Sequence, residues 1–360
     1  MQIPFTRGVP SYDMLPIEPL RQAVAHALIE EPEIALSYVT GGHVGLRTWI
    51  GSHYAVGSDQ VVCANGSLEA FMFVSAVLLE RAGTKRVIVE APTYDRSILI
   101  LQRLGAEIVG VSVDSDGLDI GALEAELAAG LPAFIYVIPN FQNPSGATLT
   151  RDRRERLVAL SKAHGIPLVE DDPYGLLRWQ GESYPTLFEL AGGDNVVTLS
   201  SFTKTVAPGL RVGYAVASPE LATAISLYAT NTYISPSILP QAGLAAYVDA
   251  GEFEPGVERA KQALHERCDA MVAAVREFFP KTARFTVPQG GYFLWIDLGD
   301  GVDTTKLLAR ATEAGVPFVK GTDFYAGPGG ETALRLAFSA VAPAQIREGI
   351  ERLAAVIDAE

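Results

Sequence analysis

Apolar and polar positions follow two different patterns along the chain. Between about residues 60 and 217, short apolar runs alternate with longer segments whose apolar residues recur at helical spacing. The runs predict strands at residues 61–64, 86–90, 108–113, 134–138, 167–171, 196–199 and 212–217. The segments between them predict helices at residues 67–79, 95–104, 121–129 and 151–163. Because this alternation is typical of βαβ units, we expect an α/β fold with a buried, mostly parallel sheet.

The two ends of the chain are organised differently. An extended, proline-rich segment opens the chain, and a helix is predicted at 19–31. After residue 219, the pattern predicts helices at 220–230, 239–249, 255–279, 304–314 and 344–357 and strands at 292–296 and 333–338. We therefore expect three parts: residues 1–44 as an N-terminal arm that joins part of a small domain, residues 45–255 as a large domain, and residues 256–360 as the C-terminal small domain.

Composition excludes several classes of protein. A formal net charge of −14 disfavours a nucleic-acid-binding surface, and a hydrophobic content of 48% favours a sizeable core. The two cysteines, Cys63 and Cys268, are too few for a disulfide framework, and the five histidines are too scattered for a zinc site. The N-terminus lacks a signal-peptide pattern, and no apolar run is long enough to span a bilayer. We expect a cytoplasmic protein that contacts neither nucleic acid nor membrane and binds no metal.

One lysine stands between two predicted strands in an unusual context. Lys204 follows Ser201 and precedes a Pro-Gly turn and Arg211. Burial penalises the charged form of lysine, and an amine of lowered pKa attacks carbonyl groups to form a Schiff base. A solvated loop lysine is the alternative for an isolated residue, but the neighbouring hydroxyl and guanidinium suit a phosphorylated aldehyde. This combination indicates pyridoxal phosphate (PLP).

Further candidates follow the predicted strands, where the ligands of parallel sheets usually lie. Gly66 and Ser67 lie at the start of a predicted helix whose N-terminal N–H groups suit an anion, although a serine there is also a common helix cap. Tyr94 is placed either to stack on a flat ring or to pack in the core. Asn140 and Asn143 lie in a predicted turn, from which their amides are also placed to reach a phenolic oxygen and a substrate carboxylate.

Three further residues, which come later in the chain, complete the candidate site. Asp171 ends a predicted strand on the face opposite Glu170 and suits a protonated pyridine nitrogen, with capping or metal binding as the alternatives. Tyr174 is placed to contact a ring hydroxyl. Arg335 lies in a strand-like alternation, either as an exposed side chain or as a bidentate clamp on a carboxylate.

Nearly the whole chain resembles the PLP-dependent class I and II aminotransferases of the aspartate aminotransferase fold. The most specific pieces are residues 140–146, 201–205 and 208–211. The subgroup that it resembles most contains 2-aminoadipate and kynurenine aminotransferases and the aminotransferase-like domains of MocR regulators. The resemblance implies fold type I of the PLP-dependent transferases, with a mostly parallel seven-stranded sheet in the large domain and a smaller α/β domain.

The resemblance also implies a role for each candidate residue around the cofactor ring. Lys204 looks like the residue that forms the aldimine with PLP and later moves a proton. Asp171 resembles the partner of the pyridine nitrogen, and Tyr94 resembles the stacking aromatic residue. Tyr174 and Asn143 resemble the residues that contact the ring hydroxyl.

Phosphate, substrate and partner contacts are implied in the same way. The phosphate cup is matched by Gly66, Ser67, Leu68, Ser201 and Arg211. Arg335 resembles the clamp on the substrate α-carboxylate, assisted by Asn143. Tyr38 matches a tyrosine that reaches the phosphate of the partner subunit, which implies a homodimer with shared active sites. Leu68 replaces a glutamine of many relatives, so only its backbone N–H serves, and Lys320 precedes Gly321 where relatives have proline.

These observations predict an aminotransferase that moves an amino group between an L-amino acid and a 2-oxo acid. Two alternatives stay open at this point. The first is another PLP-dependent reaction of amino acids, such as β- or γ-elimination, oxidation or cyclisation, because a fold does not determine its chemistry. The second is a non-catalytic effector-binding protein, although binding alone does not require the partner of the pyridine nitrogen.

Overall fold

A large mixed sheet forms the centre of the protein. The computed structural model describes residues 2–299 and 301–358. The strands of the large sheet are β1 (Val61–Ala64), β2 (Arg86–Ala91), β3 (Glu107–Asp114), β4 (Gly117–Leu118), β5 (Phe134–Val137), β6 (Leu168–Asp171), β7 (Val196–Ser201) and β8 (Gly213–Val216). Their spatial order is β1-β8-β7-β6-β5-β2-β3-β4. Strands β2, β3, β5, β6 and β7 run parallel to one another, whereas β8 is antiparallel to both β7 and β1.

This topology brings the ends of several strands to one edge. Because β8 is antiparallel to both of its neighbours, β1 runs parallel to β7, and its end at Ala64 lies at the same edge as the ends of β5, β6 and β7. The segments that follow these strands, and the segment that enters β8, therefore converge there. The sheet edge thus positions residues that are far apart in the chain around one place.

Helices cover the large sheet and extend to both ends of the chain. The described helices are α1 (Ile17–Glu30), α2 (Pro32–Ala35), α3 (Val44–His53), α4 (Ser67–Arg81), α5 (Asp95–Arg103), α6 (Ile120–Ala129), α7 (Arg151–His164), α8 (Leu187–Ala191), α9 (Pro219–Tyr233), α10 (Ile238–Asp249), α11 (Phe253–Phe278), α12 (Thr304–Glu313) and α13 (Pro343–Asp358). Strands β2, β5, β6 and β7 are almost entirely buried, as expected of a sheet covered on both faces. No helix among these residues has the length and hydropathy of a transmembrane span.

A second, smaller sheet lies near the C-terminus. It consists of β9 (Phe293–Asp297), β10 (Val319–Lys320) and β11 (Ala333–Ala337), which pair in the antiparallel order β10-β11-β9. The N-terminal segment lies beside this sheet, because the N–H groups of Ile3 and Phe5 donate to the carbonyls of Gly315 and Pro317. The chain then leads from the small sheet to the edge of the large one.

The predicted α/β fold is confirmed, and most predicted elements match the observed ones to within three residues. The predicted seven-stranded sheet is joined by an eighth strand, β4, whose two residues are too few to give an alternating pattern. Helix α3 was not predicted either, because glycines at positions 45 and 51 interrupt its apolar face. Its first turn is capped instead by His43, whose Nδ1 accepts from the backbone N–H of Leu46 at 3.2 Å.

Candidate active site

A cavity of about 520 Å³ opens where the edge of the large sheet meets the small sheet and the N-terminal segment. Most of the candidate residues predicted from the sequence line this cavity. They are Ser67, Leu68, Tyr94, Asn143, Asp171, Tyr174, Ser201, Lys204, Arg211 and Arg335. The rest of the wall consists of Thr6 to Val9, Asp95, Arg96, Ile138, Pro173, Thr203, Phe293, Val319, Asp323 and Phe324. Residues from β6, β7 and β11 and from the chain terminus are therefore brought to one site.

Lys204 is one of the residues that line this cavity. Its Nζ donates to the carbonyl oxygen of Gly8 at 2.5 Å and lies 5.8 Å and 5.4 Å from the ring centres of Tyr174 and Tyr292. Burial lowers the pKa of Lys204 to about 8, and the positive charge of Arg335 adds to this effect. The amine is therefore much closer to its neutral, nucleophilic form near neutral pH than an exposed lysine is.

Asp171 presents an incompletely paired carboxylate to the same cavity. Its Oδ2 accepts from the hydroxyl of Tyr136 at 2.7 Å, whereas its Oδ1 is buried and has no hydrogen-bond partner within the described residues. Burial raises the pKa of Asp171 to about 7. A buried carboxylate oxygen without a donor is destabilising unless a ligand supplies one. A protonated ring nitrogen is a donor of the required kind.

An anion-binding corner lies beside Lys204, at the start of α4. Gly66 precedes the helix with φ +103°, and Arg211 adopts a left-handed conformation with φ +52° before β8. Nη2 of Arg211 donates to the carbonyl of Asn65 at 3.0 Å, and a Cβ at Gly66 would lie only 2.4 Å from this nitrogen. Ser201 adds a hydroxyl that donates to Oγ1 of Thr203 at 2.7 Å. The guanidinium, hydroxyls and helix N-terminus suit a phosphate group.

Arg335 forms the opposite side of the cavity. Although it lies in the middle of β11, its side chain is only 6% exposed. Its Nη1 donates to Oδ1 of Asn143 at 2.8 Å, its Nη2 donates to the carbonyl of Thr6 at 2.7 Å, and its Nε has no partner within the described residues. The guanidinium also lies 4.2 Å and 4.9 Å from the ring centres of Phe293 and Phe324. These contacts hold a fork of N–H donors in a fixed orientation at the cavity wall.

Two tyrosines line the same cavity. Tyr94 precedes α5, and Tyr174 follows the end of β6 and is 4% exposed. Burial raises the pKa of Tyr94 to about 12 and raises the pKa of Tyr174 well above its usual value, so both hydroxyls stay protonated. Tyr174 is therefore a permanent hydrogen-bond donor at the cavity wall.

Three hydrogen-bond partners of the Lys204, Asp171 and Arg335 side chains were not predicted from the sequence. Two of them are the backbone carbonyls of Thr6 and Gly8, which carry no side-chain signal. The third is Tyr136, in β5, whose signal is a hydroxyl within an otherwise apolar, fully buried strand.

Tyr38 does not line the cavity of the single chain. It is 78% exposed and lies in the segment between α2 and α3. Its predicted contact with the phosphate of a partner subunit stays a prediction. Within the described residues, no group of three or more His, Cys, Asp or Glu side chains is arranged to hold a metal ion.

Comparison with known proteins identifies the class of protein that this fold and cavity represent. Residues 1–353 match the family model for aminotransferase class I and II, and the chain belongs to this family. The 2-aminoadipate transaminase of Thermus thermophilus is 35% identical over 353 residues, which cover 97% of this chain and 88% of that protein.

Solved structures give the same result. The structure of LysN, an α-aminoadipate aminotransferase from Thermus thermophilus complexed with N-(5′-phosphopyridoxyl)-L-leucine, matches with a TM-score of 0.95 and 34% identity over 99% of this chain and 92% of that one. The kynurenine aminotransferase of Pyrococcus horikoshii in complex with PMP matches with a TM-score of 0.94 and 32% identity over 99% and 91%. The predicted family and fold type are confirmed. The protein is a PLP-dependent aminotransferase, and its substrates are amino acids and 2-oxo acids.

Proposed function

We propose that this chain binds PLP at Lys204 and transfers the amino group of an L-amino acid to a 2-oxo acid in the cavity described above. The observation that carries this assignment is the unpartnered Oδ1 of Asp171, which shares the cavity with an amine of lowered pKa. The phosphate would bind to Arg211, Ser201 and the N–H groups at the start of α4, and the ring nitrogen to Asp171. The residues present therefore fit the cofactor.

Each residue then has a definite task in the reaction. PLP, when bound, supplies the electron sink that stabilises negative charge at the substrate Cα. The Nζ of Lys204 accepts the proton from the substrate Cα and returns it during transfer. Arg335 binds the α-carboxylate and so orients the Cα–H bond towards Lys204, while Asn143 holds the guanidinium in place. Tyr174 donates to the ring hydroxyl, and Tyr94 packs on the ring.

A long or aromatic amino donor is the substrate class we propose. The relatives include an aminotransferase named for 2-aminoadipate and one named for kynurenine. The cavity is lined by Phe293 and Phe324, whose rings also pack on Arg335, and by Arg7 and Arg96, of which Arg96 also pairs with Asp95 at 3.4 Å. The rings suit an aromatic side chain, and the guanidinium groups suit an anionic one. A panel of amino donors against one 2-oxo acid tests this, and a strict preference for alanine would contradict it.

We also propose that the protein is a homodimer in which Tyr38 of each subunit completes the partner's phosphate site. Support comes from exposed apolar side chains, including Leu36 at 70% and Ile234 at 57% exposure. Sedimentation measures the assembly. Mixing Lys204→Ala with Tyr38→Ala subunits tests shared sites, because one of the two sites in a hybrid dimer then carries neither substitution. Failure of such mixtures to regain activity above either parent would contradict the proposal.

The domain boundaries and the compartment remain proposals of the same kind. We propose an N-terminal arm at 1–44, a large domain at 45–255 and a small domain at 256–360, supported by the restriction of the two sheets to residues 61–216 and 293–337. Limited proteolysis tests the boundary near residue 255. A cytoplasmic location is supported by the two cysteines, which are unpaired and buried, and is tested by cell fractionation.

The central experiment combines cofactor uptake with product analysis. The purified protein, titrated with PLP, should develop the visible absorbance of protein-bound cofactor, and Lys204→Ala should lose it. With an amino donor present, more than one turnover per site should require a 2-oxo acid and yield one amino acid per amino group lost. Ammonia release without an acceptor would instead indicate elimination or oxidation. A wild-type protein that takes up no PLP would refute the proposal.

A further inference from the structure

A chain of buried hydrogen bonds leads from α5 through the large sheet to Asp171. The hydroxyl of Ser97 donates to the hydroxyl of Tyr136 at 3.0 Å, which in turn donates to Oδ2 of Asp171 at 2.7 Å. Ser97 and Tyr136 are 1% and 0% exposed, so water does not compete for these bonds. Tyr136 therefore donates the hydrogen bond to Asp171, and Ser97 orients the hydroxyl of Tyr136.

Strand register places Tyr136 at this position. Tyr136 in β5 is aligned with Val89 in β2 and with Val169 in β6. Asp171 is two residues beyond Val169 and so lies on the same face of the sheet. The ring of Tyr136 packs against Phe71 with 4.7 Å between ring centres. The phenol is thus held in place by its packing, and its hydroxyl is directed at one carboxylate oxygen.

The electrostatics around Asp171 give this contact a consequence. Burial and the neighbouring Asp172 raise the pKa of Asp171, whereas the hydrogen bond from Tyr136 and the positive charge of Lys204 lower it. Burial keeps the pKa of Tyr136 itself well above its usual value, so its hydroxyl remains a donor. The hydrogen bond from Tyr136 therefore favours the ionised form of a carboxylate that its surroundings would otherwise neutralise.

We propose that Tyr136, supported by Ser97, is a positioning residue that favours the ionised form of Asp171 and leaves its Oδ1 free for the ring nitrogen of the cofactor. This inference rests on the proposed role of Asp171. By holding Oδ2, Tyr136 fixes the orientation of the carboxylate and reserves the other oxygen for the ligand. An ionised Asp171 keeps the ring nitrogen protonated, and a protonated ring is the stronger electron sink. Tyr136 does not line the cavity, so it acts through Asp171.

The alternative is that Tyr136 only fills space next to Phe71. The substitution Tyr136→Phe separates the two roles, because it keeps the ring and its packing and removes only the hydroxyl. Ser97→Ala is the milder substitution, since it leaves the phenol of Tyr136 in place and removes only the Ser97 hydroxyl that donates to it. Tyr247→Phe is the matched control: Tyr247 is 1% exposed, and its hydroxyl donates to the carbonyl of Glu252 at 2.8 Å, outside the cavity.

The experiment measures the affinity of each purified protein, stripped of cofactor, for two ligands. One is PLP, and the other is its 1-deaza analogue, in which C–H replaces the ring nitrogen. We expect Tyr136→Phe to bind PLP on the order of tenfold to a hundredfold more weakly than wild type, with Ser97→Ala in between, because a hydrogen bond to a charged group is lost. Affinity for the analogue should change by no more than about twofold, because a C–H group makes no charge-assisted hydrogen bond to Asp171.

The outcomes are distinguishable. Equal losses for both ligands would show that Tyr136 maintains the shape of the cavity only, and unchanged PLP affinity in Tyr136→Phe would show that Asp171 does not need it. Either result overturns the inference. If circular dichroism shows that Tyr136→Phe does not fold, Ser97→Ala decides between the two roles. A loss of affinity for PLP alone supports the proposed role of Tyr136, whereas equal losses for both ligands or no loss refute it. Failure of the wild type to bind PLP would instead overturn the proposed function, and the proposed role of Tyr136 with it.

Discussion

Replacing Arg335 with lysine tests the proposed carboxylate clamp directly. Arg335→Lys keeps the positive charge and a long apolar stem but removes the planar fork of N–H donors. In the structure, Nη1 and Nη2 already donate to Asn143 and to the carbonyl of Thr6, and each nitrogen carries a further N–H. A carboxylate at this wall can therefore accept two parallel hydrogen bonds from arginine and only one well-placed bond from a lysine ammonium group.

The magnitude follows from the loss of one charge-assisted hydrogen bond. Such a bond contributes about 1.5–3 kcal/mol, and each 1.4 kcal/mol corresponds to about a tenfold change in an equilibrium constant. We expect kcat/KM for an α-amino acid to fall by about 10- to 100-fold. Lysine also fits less well between Phe293 and Phe324, so a lower melting temperature is expected as a separate effect.

The assay compares an amino acid with the corresponding amine that lacks the carboxylate. The ratio of their kcat/KM values should fall by about 10- to 100-fold in Arg335→Lys, because turnover of the amine does not use the clamp. Arg310→Lys is the matched control, since Arg310 donates to the carbonyl of Val356 between α12 and α13 and does not line the cavity. If Arg335→Lys slows both substrates equally, Arg335 supports the fold and does not recognise the carboxylate.

Other predictions concern the amine, the phosphate site and a buried acid. PLP uptake should accelerate as the pH rises through the Lys204 pKa of about 8, because only the neutral amine attacks; a rate independent of pH there would refute this. Gly66→Ala should weaken PLP binding by about tenfold, because a Cβ at this position, where φ is +103°, would displace the guanidinium of Arg211. Gly209→Ala is the control and should leave PLP binding unchanged, because a Cβ at Gly209 has nothing within 4 Å. Equal PLP titration curves for the two variants would contradict the prediction. Burial raises the pKa of Glu90 from 4.5 to about 8, so between these two pH values the native state holds a proton that the unfolded state has released. The free energy of unfolding should therefore fall as the pH rises from 4.5 to about 8. Denaturant titrations of Glu90→Gln should show a smaller fall.

The fold was predictable to the extent that burial leaves a pattern in the chain. Strands such as Phe134–Val137 are apolar throughout because both faces of a parallel sheet are covered, and this signal is local. Helix α3 and strand β4 escaped prediction for different local reasons. The first is interrupted by glycines, and the second is two residues long, so their structure depends on the neighbours against which they pack.

Side chains with distinctive chemistry were also predictable, because most of them lie at or after the end of a strand. Lys204 and Asp171 stand at positions where a buried charge requires a partner, and the order of the strands brings them and the exposed Arg211 to one edge. The partner subunit expected at Tyr38 is a different case. A contact between two copies leaves only exposed apolar residues in one chain, and solution measurements must decide it.

The amino-acid sequence by itself determined which groups are available: one lysine between hydroxyls and an arginine, a carboxylate at a strand end, and an arginine within a late strand. Only the tertiary structure decided how they are paired. The carbonyl of Thr6 accepts from Arg335, and the carbonyl of Gly8 accepts from Lys204, because the N-terminal segment passes between the two sheets. These are backbone contacts, so no side chain in the sequence predicts them. The pairing of Tyr136 with Asp171 depends on strand register, which joins residues 35 positions apart in the chain. Local pattern reports burial, whereas hydrogen-bond partners and lowered or raised pKa values arise from groups that only folding brings together.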